Sequence, residues 1–186
     1  MSRYETFLTP RLEARALSWD HRDELLQLFG DPQVGATLGG VRGMEEVEEG
    51  TRHNLAHWDR WGWGIWTAYD RTREGYPFVG QLLLRNREID NEEEVEIGYA
   101  LMPQYWRQGL ATEAAAALAW LGFEVLGLEN LAAFTWVKNI GSRRVMEKIG
   151  MKEEKYFSYV ELDHVLYRLK PGELITGQQE PAGELG

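Results

Sequence analysis

The sequence predicts a single domain of mixed α/β (α+β) class, with a central mixed sheet of about seven strands and about four helices. Three observations lead to this prediction. The 186 residues are enough for one domain with a sizeable core but are marginal for two. The apolar residues alternate in some segments, as in strands, and follow helical spacing in others. These segments do not follow one another in a strict strand–helix alternation.

The first half of the chain predicts one strand, two helices and two further strands. Leu12 to Leu17 alternates as a strand does. Asp20 can cap a helix that Gly30-Asp31-Pro32 ends. Glycines between residues 35 and 43 predict a loose connection to a second helix over 44–61. The two strands that follow, joined by a polar turn, cover 64–69 and 77–84.

The second half predicts a crossover at its centre. The segment 86–94 is acidic and is interpreted as a connection to a fourth strand over 95–102. The alanine-rich segment 110–126 is a long helix, with Gly127 as its stop. Because this helix joins the fourth and fifth strands, the two strands should be parallel. The remaining predictions are a strand over 131–137, a helix over 139–149, and strands over 153–160 and 165–170.

Composition and charge narrow the function. The formal net charge of −10 argues against nucleic acid as a partner and slightly favours a cationic substrate. The absence of cysteine excludes disulfides, thiolate metal sites and a cysteine nucleophile, and no metal site is predicted. No segment resembles a signal peptide or a membrane span, which predicts a cytoplasmic protein without a membrane partner. Residues 1–170 form the predicted domain, and the polar tail 171–186 is predicted to be disordered.

The segment 95–123 carries the first functional motif, a strand, a short loop and a long helix. Gly109 and Ala111 stand where the loop becomes the helix. The first N–H groups of a helix are unpaired and carry partial positive charge, and small residues let a ligand approach them. Arg107 can add a full charge, so the segment suits a pyrophosphate. The simpler interpretation is that Gly109 only opens a helix and that Arg107 is a solvated charge.

The run Tyr105 to Ala114, YWRQGLATEA, resembles the acetyl-CoA loop of the GNAT superfamily of N-acetyltransferases. Trp106 stands where the general family pattern has Gln or Arg, and a Tyr-Trp pair here is a habit of the RimJ/RimL-like branch. The resemblance implies that the pyrophosphate of acetyl-CoA is bound at Arg107, Gln108, Gly109, Leu110, Ala111 and Thr112. It also implies backbone contacts of the cofactor and of the oxyanion near Ala100 to Met102, with Leu101 and Met102 in the cofactor site.

A second motif, Asn139 to Met151, resembles the family's Asn-x-x-Ser and Glu-Lys-x-Gly-Phe signature, with Met151 in place of the aromatic residue. From the residues alone, Asn139 is a good helix N-cap, and Ser142 lies in the first turn. The resemblance implies that both side chains face the pantetheine arm and thioester of the cofactor.

Two catalytic residues follow from the resemblance. Glu96 matches a glutamate that takes the amine's proton in several members, although it could also be one more residue of the acidic run that begins at Glu92. Many members use a tyrosine as the acid where this chain has Met146, so Ser142, one turn earlier, is the available hydroxyl. It is predicted either to donate the proton or to hydrogen-bond the sulfur while water supplies the proton. His164 and the four tryptophans between Trp58 and Trp66 are interpreted as structural, with a substrate wall as the alternative for the tryptophans.

The implied function is transfer of an acetyl group from acetyl-CoA to a primary amine, either a protein N-terminus or a small amine, by direct attack on the thioester. One alternative is a non-catalytic acyl-CoA-binding sensor or partner module, and another is an enzyme that uses a different CoA thioester. A nucleotide-binding protein of another class is excluded, because the sequence has neither a phosphate-loop nor a dinucleotide motif. Pairing of two copies through the C-terminal strands is a further expectation of the resemblance.

Overall fold

The computed structural model describes residues 4–175, which form one eight-stranded mixed sheet flanked by helices. The order of the strands across the sheet is β1-β2-β3-β4-β5-β6-β8-β7. The predicted fold class and the single domain are thereby confirmed. The strands are β1 (Thr6–Leu8), β2 (Leu12–Ala16), β3 (Ile65–Asp70), β4 (Phe78–Ile89), β5 (Glu92–Leu101), β6 (Leu131–Trp136), β7 (Lys152–Tyr159) and β8 (Leu162–Leu169).

Five helices connect the strands. The predicted crossover is confirmed, because α4 joins β5 to β6 and these two strands are parallel. A π-helical turn, Leu121–Val125, extends α4 at its C-terminal end. The helices are α1 (Arg22–Gly30), α2 (Pro32–Leu38), α3 (Met44–Trp61), α4 (Leu110–Trp120) and α5 (Ile140–Lys148).

The acidic segment 86–94 is not the connection that was predicted but the tip of a long hairpin. Strands β4 and β5 pair without interruption out to Ile89 and Glu92. Asp90 and Asn91 form the two-residue turn with φ values of 50° and 67°, which is the backbone that a tight hairpin requires. The acidic side chains are tolerated in a strand because arginines from other elements neutralise them, as Arg168 does for Glu94 at 2.6 Å.

Two further elements, β1 and α2, were absent from the prediction. Helix α2 lies in the glycine-containing stretch that was interpreted as a loose connection. Asp31 caps it by accepting hydrogen bonds from the amides of Gln33 and Val34, and Pro32 occupies its first position. The residues that were interpreted as the stop of α1 therefore also start the next helix.

Three of the four tryptophans between Trp58 and Trp66 pack in or against the core, and Trp61 is exposed. Trp63 and Trp66 are buried, and the ring of Trp58 packs edge-on against Trp66 with centroids 5.2 Å apart. The Trp58 indole also donates a hydrogen bond to the carbonyl oxygen of Ile65, at 2.8 Å. These contacts hold α3 on the sheet beside β3.

The C-terminal end of the domain reaches past residue 170. The amide of Ile175 donates to the carbonyl oxygen of Ile149, at 3.0 Å, and Lys152 forms an ion pair with Glu173. Most of the tail that was predicted to be disordered lies outside the described residues. Strand β7 is an edge of the sheet and exposes Tyr156, so pairing of two copies at this edge stays a prediction. No helix within residues 4–175 is long and apolar enough to cross a membrane.

We expect the free energy of unfolding to fall as the pH drops below about 6.5. Nε2 of His57 accepts a hydrogen bond from the Asn86 amide at 3.0 Å, so the proton of the neutral ring is on Nδ1, 2.9 Å from the carbonyl oxygen of Trp63. Burial lowers the pKa of His57, and also that of His21, below the ordinary 6.5. A lowered pKa contributes stability that is present above the unfolded-state pKa and is lost as the pH falls through the folded-state pKa.

Urea unfolding at pH values on either side of this range measures the effect. The loss of stability in acid should be smaller in His57→Gln than in the unmodified protein. It should change little in His53→Gln, since His53 is exposed and lowers the pKa of His57 by less than burial does. An equal loss in all three proteins would show that His57 does not contribute.

Candidate active site

A positively polarised helix start lies at one end of β5. Gly109 is the N-cap of α4, with a φ of 81°, and no side chain caps the helix. The first-turn amides of Leu110, Ala111 and Thr112 are therefore open to an external acceptor. We call the segment that precedes them, Arg107–Gly109, the glycine loop; it is exposed and enters with a φ of 62° at Arg107. These features fit a pyrophosphate, because backbone donors, partial helix charge and a guanidinium group meet at one place.

A buried carboxylate on α4 fixes the glycine loop. Glu113 is 3% exposed and accepts hydrogen bonds from the Thr9 hydroxyl at 2.5 Å, the Arg11 amide at 2.8 Å and the Arg11 Nε at 2.7 Å. The same arginine donates through Nη1 to the carbonyl oxygen of Gln108, at 2.8 Å. The turn between β1 and β2 thus holds the loop in place from outside.

A cleft opens between β5 and β6. In the part of the chain that the structure describes, the parallel ladder pairs Glu96 with Ala132 and extends no further, so the two strands separate towards their C-terminal ends. The amide of Met102 already donates to the carbonyl oxygen of Val79, at 2.8 Å. Because successive residues of an antiparallel strand point their amides to opposite sides, the amide of Leu101 is directed away from β4 and into the cleft.

This register narrows the predicted oxyanion contacts. Met102 is buried, and its amide is engaged within the sheet, so it is not a candidate donor. Ala100 stands two residues earlier, opposite Gln81, and its amide points the same way as that of Met102. Of the predicted segment from Ala100 to Met102, Leu101 is the residue with a suitably directed amide.

The start of α5 faces the cleft from the other strand. Asn139 caps the helix, and its Oδ1 accepts a hydrogen bond from the Ser142 amide, at 3.2 Å. The Ser142 hydroxyl lies 3.3 Å from the hydroxyl of Tyr99, which donates to the Ser142 carbonyl oxygen at 3.1 Å. Met146 is buried in the core and has no proton to give. Two hydroxyl groups, one from β5 and one from α5, therefore meet where the strands separate.

Tyr99 was not among the predicted site residues. Its hydroxyl is buried, and this burial raises its pKa well above the ordinary value, while the hydrogen bond with Ser142 lowers it by less. The phenol therefore stays protonated at neutral pH and acts as a donor. The sequence signal was the position of Tyr99 one residue after Gly98 in the strand that carries Glu96, but a tyrosine in a strand is unremarkable without its partner.

Glu96 lies on the opposite face of β5 from Tyr99. It is 8% exposed, and its Oε2 accepts hydrogen bonds from the Nε of Arg85 at 2.7 Å and from the Nη1 of Arg87 at 3.2 Å. Both arginines lie on β4, and Arg85 stands directly opposite Glu96 in the ladder. The predicted base is thus a buried, ion-paired carboxylate and not a solvated member of an acidic run.

His164, which was interpreted as structural, lies outside this cleft. His164 lies in a ring cluster with Phe134, Phe157 and Tyr159, and its Nδ1 is 3.0 Å from the carbonyl oxygen of Leu162. This arrangement is consistent with a structural role. Within residues 4–175, no group of three or more histidine, aspartate or glutamate side chains is arranged to hold a metal ion.

Residues 11–152 match the family described as the acetyltransferase (GNAT) domain. The chain belongs to the GNAT acetyltransferase family. The match includes both motifs, the glycine loop and all of β2, and so covers the cleft described above. The predicted family is confirmed, and with it the assignment of the chain as an N-acetyltransferase.

Individual relatives agree with this assignment. The chain is 32% identical over 151 residues to the protein YkkB of Bacillus subtilis, covering 80% of this chain and 86% of that protein. It is 29% identical to the FsC-acetyl coenzyme A-N(2)-transacetylase of Aspergillus fumigatus, covering 82% of this chain and 67% of that enzyme. The solved structure of RimL, the ribosomal L7/L12 alpha-N-protein acetyltransferase in complex with coenzyme A, matches with a TM-score of 0.73 and 20% identity over 89% of this chain and 98% of that chain. At this identity the match shows a shared fold.

Besides Tyr99, two further residues of this site, Arg11 and Glu113, were not predicted from the sequence. Arg11 and Glu113 do not face the cleft, but they determine where the glycine loop lies. Glu113 was quoted only as a letter of the loop motif, and Arg11 preceded the first predicted strand. An acidic residue in the first turn of α4 suggests an ordinary helix-dipole contact. Its partners could not be found without the fold.

Proposed function

We propose that the enzyme transfers the acetyl group of acetyl-CoA directly to a primary amine, with no covalent enzyme intermediate. The observation that carries this proposal is the convergence of three features at the open end of β5 and β6. These are the uncapped start of α4, the inward amide of Leu101, and the hydroxyl pair of Ser142 and Tyr99. Each feature corresponds to one requirement of acyl transfer from a thioester.

Binding comes first in the proposed mechanism. The amides of the first turn of α4, with Arg107, would hold the pyrophosphate, and Gln108 and Gly109 would contribute backbone in the exposed loop. The pantetheine arm would lie between the separated strands, along Leu101 and Met102 on one side and Asn139 on the other. The thioester then reaches the place where the Leu101 amide is directed into the cleft.

The chemical step forms a C–N bond and breaks the C–S bond. The amine nitrogen attacks the thioester carbon, and the carbonyl oxygen, which gains negative charge, accepts a hydrogen bond from the Leu101 amide. Glu96 takes the proton that the amine nitrogen loses. Both arginines bind its Oε2, so Oε1 is the oxygen assigned to this transfer.

The departing thiolate requires a proton. Ser142 is assigned as its donor, and Tyr99 as the group that hydrogen-bonds the serine and holds it in place. A serine hydroxyl is a weak acid, so Ser142 either passes its proton to the sulfur and regains one from water, or hydrogen-bonds the developing thiolate while water supplies the proton. Because its pKa is raised, Tyr99 keeps its proton and can donate a hydrogen bond to the serine.

Ala111→Glu tests the proposal at the cofactor step. An acidic residue in the first helical turn is compatible with the helix, but its charge would repel the pyrophosphate from the amides. Calorimetry should give an affinity for acetyl-CoA that is lower by about 100-fold or more than that of the matched, uncharged Ala111→Gln.

Release of free thiol from acetyl-CoA, measured against panels of peptides, amino acids, polyamines and aminoglycosides, tests the transfer itself. The chain contains no cysteine, so the protein adds no thiol background. Turnover with at least one class of amine is the expected result. Tight binding of acetyl-CoA without turnover on any panel would favour a sensor over an enzyme. Equal affinities of Ala111→Glu and Ala111→Gln for acetyl-CoA would overturn the assigned pyrophosphate site.

A further inference from the structure

Two guanidinium groups, those of Arg85 and Arg87, lie on the face of the sheet that carries Glu96, and the exposed Arg42 is close enough for their charges to act on it. Arg85 and Arg87 are alternate residues of β4 and therefore point to the same side. Arg42 comes from the connection between α2 and α3, and its guanidinium carbon lies 4.6 Å from the centroid of the Phe29 ring. This set, which we call the arginine cluster, stands beside the proposed base and opposite the hydroxyl pair.

The arginine cluster has fewer carboxylates than guanidinium groups. Glu96 pairs with both Arg85 and Arg87. Glu46, the nearest acid to Arg42 in electrostatic terms, uses its Oε2 to accept the Gly43 amide at 2.9 Å, and among residues 4–175 no carboxylate lies within ion-pair distance of Arg42. Burial and then the charge of Arg85 lower the pKa of Arg42, and the carboxylate of Glu46 opposes this shift.

Aromatic rings complete this side of the cleft. Arg87 donates through Nη2 to the Tyr159 hydroxyl at 2.6 Å, and its guanidinium carbon lies 4.9 Å from the centre of the Phe134 ring. Tyr159 stands at the end of β7, so the arginine cluster is enclosed between the α2–α3 connection and the β7–β8 hairpin. Glu94 pairs with Arg168 and Asp90 with Lys155, so neither of these acids pairs with the arginine cluster.

On the basis of the proposed function, we infer that the acceptor is a primary amine that also carries a carboxylate, and that Arg42 binds this carboxylate. A guanidinium group binds a carboxylate through two parallel hydrogen bonds, which offsets the cost of gathering like charges in a partly buried site. The same cluster disfavours polyamines, because their additional ammonium groups would meet uncompensated positive charge. The local charge at the acceptor side thus differs in sign from the net charge of the chain.

Two sources offer this chemistry, and matched pairs of substrates separate them. A free amino acid carries its carboxylate beside the amine, and phenylalanine is compared with phenylalaninamide. A peptide N-terminus carries it on the next side chain, and amidated Ser-Asp-Ala is compared with amidated Ser-Asn-Ala. In at least one of the two pairs, kcat/KM should be higher for the acid by about tenfold or more.

Arg42→Gln should bring this ratio close to one, mainly through a higher KM for the acid. The matched control is Arg52→Gln, an exposed arginine of α3, which should keep the wild-type ratio. A ratio near one in the unmodified enzyme, a preference for spermidine, or an unchanged ratio in Arg42→Gln would overturn the inference. Absence of turnover with every amine would instead count against the proposed transferase function, so the two failures are distinguishable.

Discussion

Replacing Glu96 by glutamine is expected to lower kcat by about 100-fold near pH 7 without changing the affinity for acetyl-CoA. The glutamine keeps an oxygen for Arg85 and Arg87 but cannot take a proton. An α-amine with a pKa near 7.8 is only about a tenth neutral at pH 7. The loss should therefore shrink as the pH approaches about 9.5, where the amine is neutral without help.

The pH profile of kcat for both proteins, from about pH 6.5 to about pH 9.5, is the deciding measurement. Glu94→Gln is the matched control, because Glu94 is buried on the same face of β5 and is also paired with an arginine, Arg168. It should lower stability but leave the shape of the profile intact. A loss in Glu96→Gln that is the same at every pH would mean that Glu96 only anchors the two arginines. If the acceptor carries a carboxylate, the variant should also show a lower KM for it, since one negative charge is gone.

Ser142→Ala is expected to lower kcat by about 100-fold, and Tyr99→Phe by about tenfold. The serine would meet the thiolate, while the tyrosine acts through the serine, to which it is bound at 3.3 Å. The two groups therefore share one task, and the effects should not add.

Single-turnover rates of the two variants and of the double variant measure this coupling. The double variant should be no slower than Ser142→Ala alone, and its affinity for acetyl-CoA should be close to that of the unmodified enzyme. Rates that fall by the product of the two single effects would contradict a shared role. Thermal unfolding of Tyr99→Phe serves as the control for packing, because the ring remains and only the hydroxyl is lost.

Most of the features that were predicted correctly depend on residues close together in the sequence. The helix start at Gly109 and the cap at Asn139 each depend on residues within one or two turns, so they could be interpreted without the fold. The crossover helix was equally accessible, since its length and composition determine the direction of the next strand. Of the four tryptophans that were interpreted as structural, Trp58, Trp63 and Trp66 pack against the core and Trp61 does not.

Pairings over long distances in the sequence account for what was missed. The acidic segment 86–94 has the composition of a connection, and only arginines from β8 and β4 make it acceptable in a sheet. Tyr99 becomes meaningful through a residue 43 positions away, and Glu113 through one that is 104 positions away. The arginine cluster joins a loop, a strand and a hairpin, none of which has a recognisable motif.

The attachment of the glycine loop to the first strands has a consequence for how the cofactor site is lost. Thr9 and Arg11 hydrogen-bond Glu113, and Arg11 also hydrogen-bonds the carbonyl oxygen of Gln108, so the loop is stiffened by the turn between β1 and β2. The entropy cost of ordering that loop is therefore part of the free energy of folding and not of cofactor binding. On heating, acetyl-CoA binding and the native structure should then be lost together, because the glycine loop and the sheet belong to one cooperative unit. No intermediate with a folded sheet and a disordered glycine loop is expected.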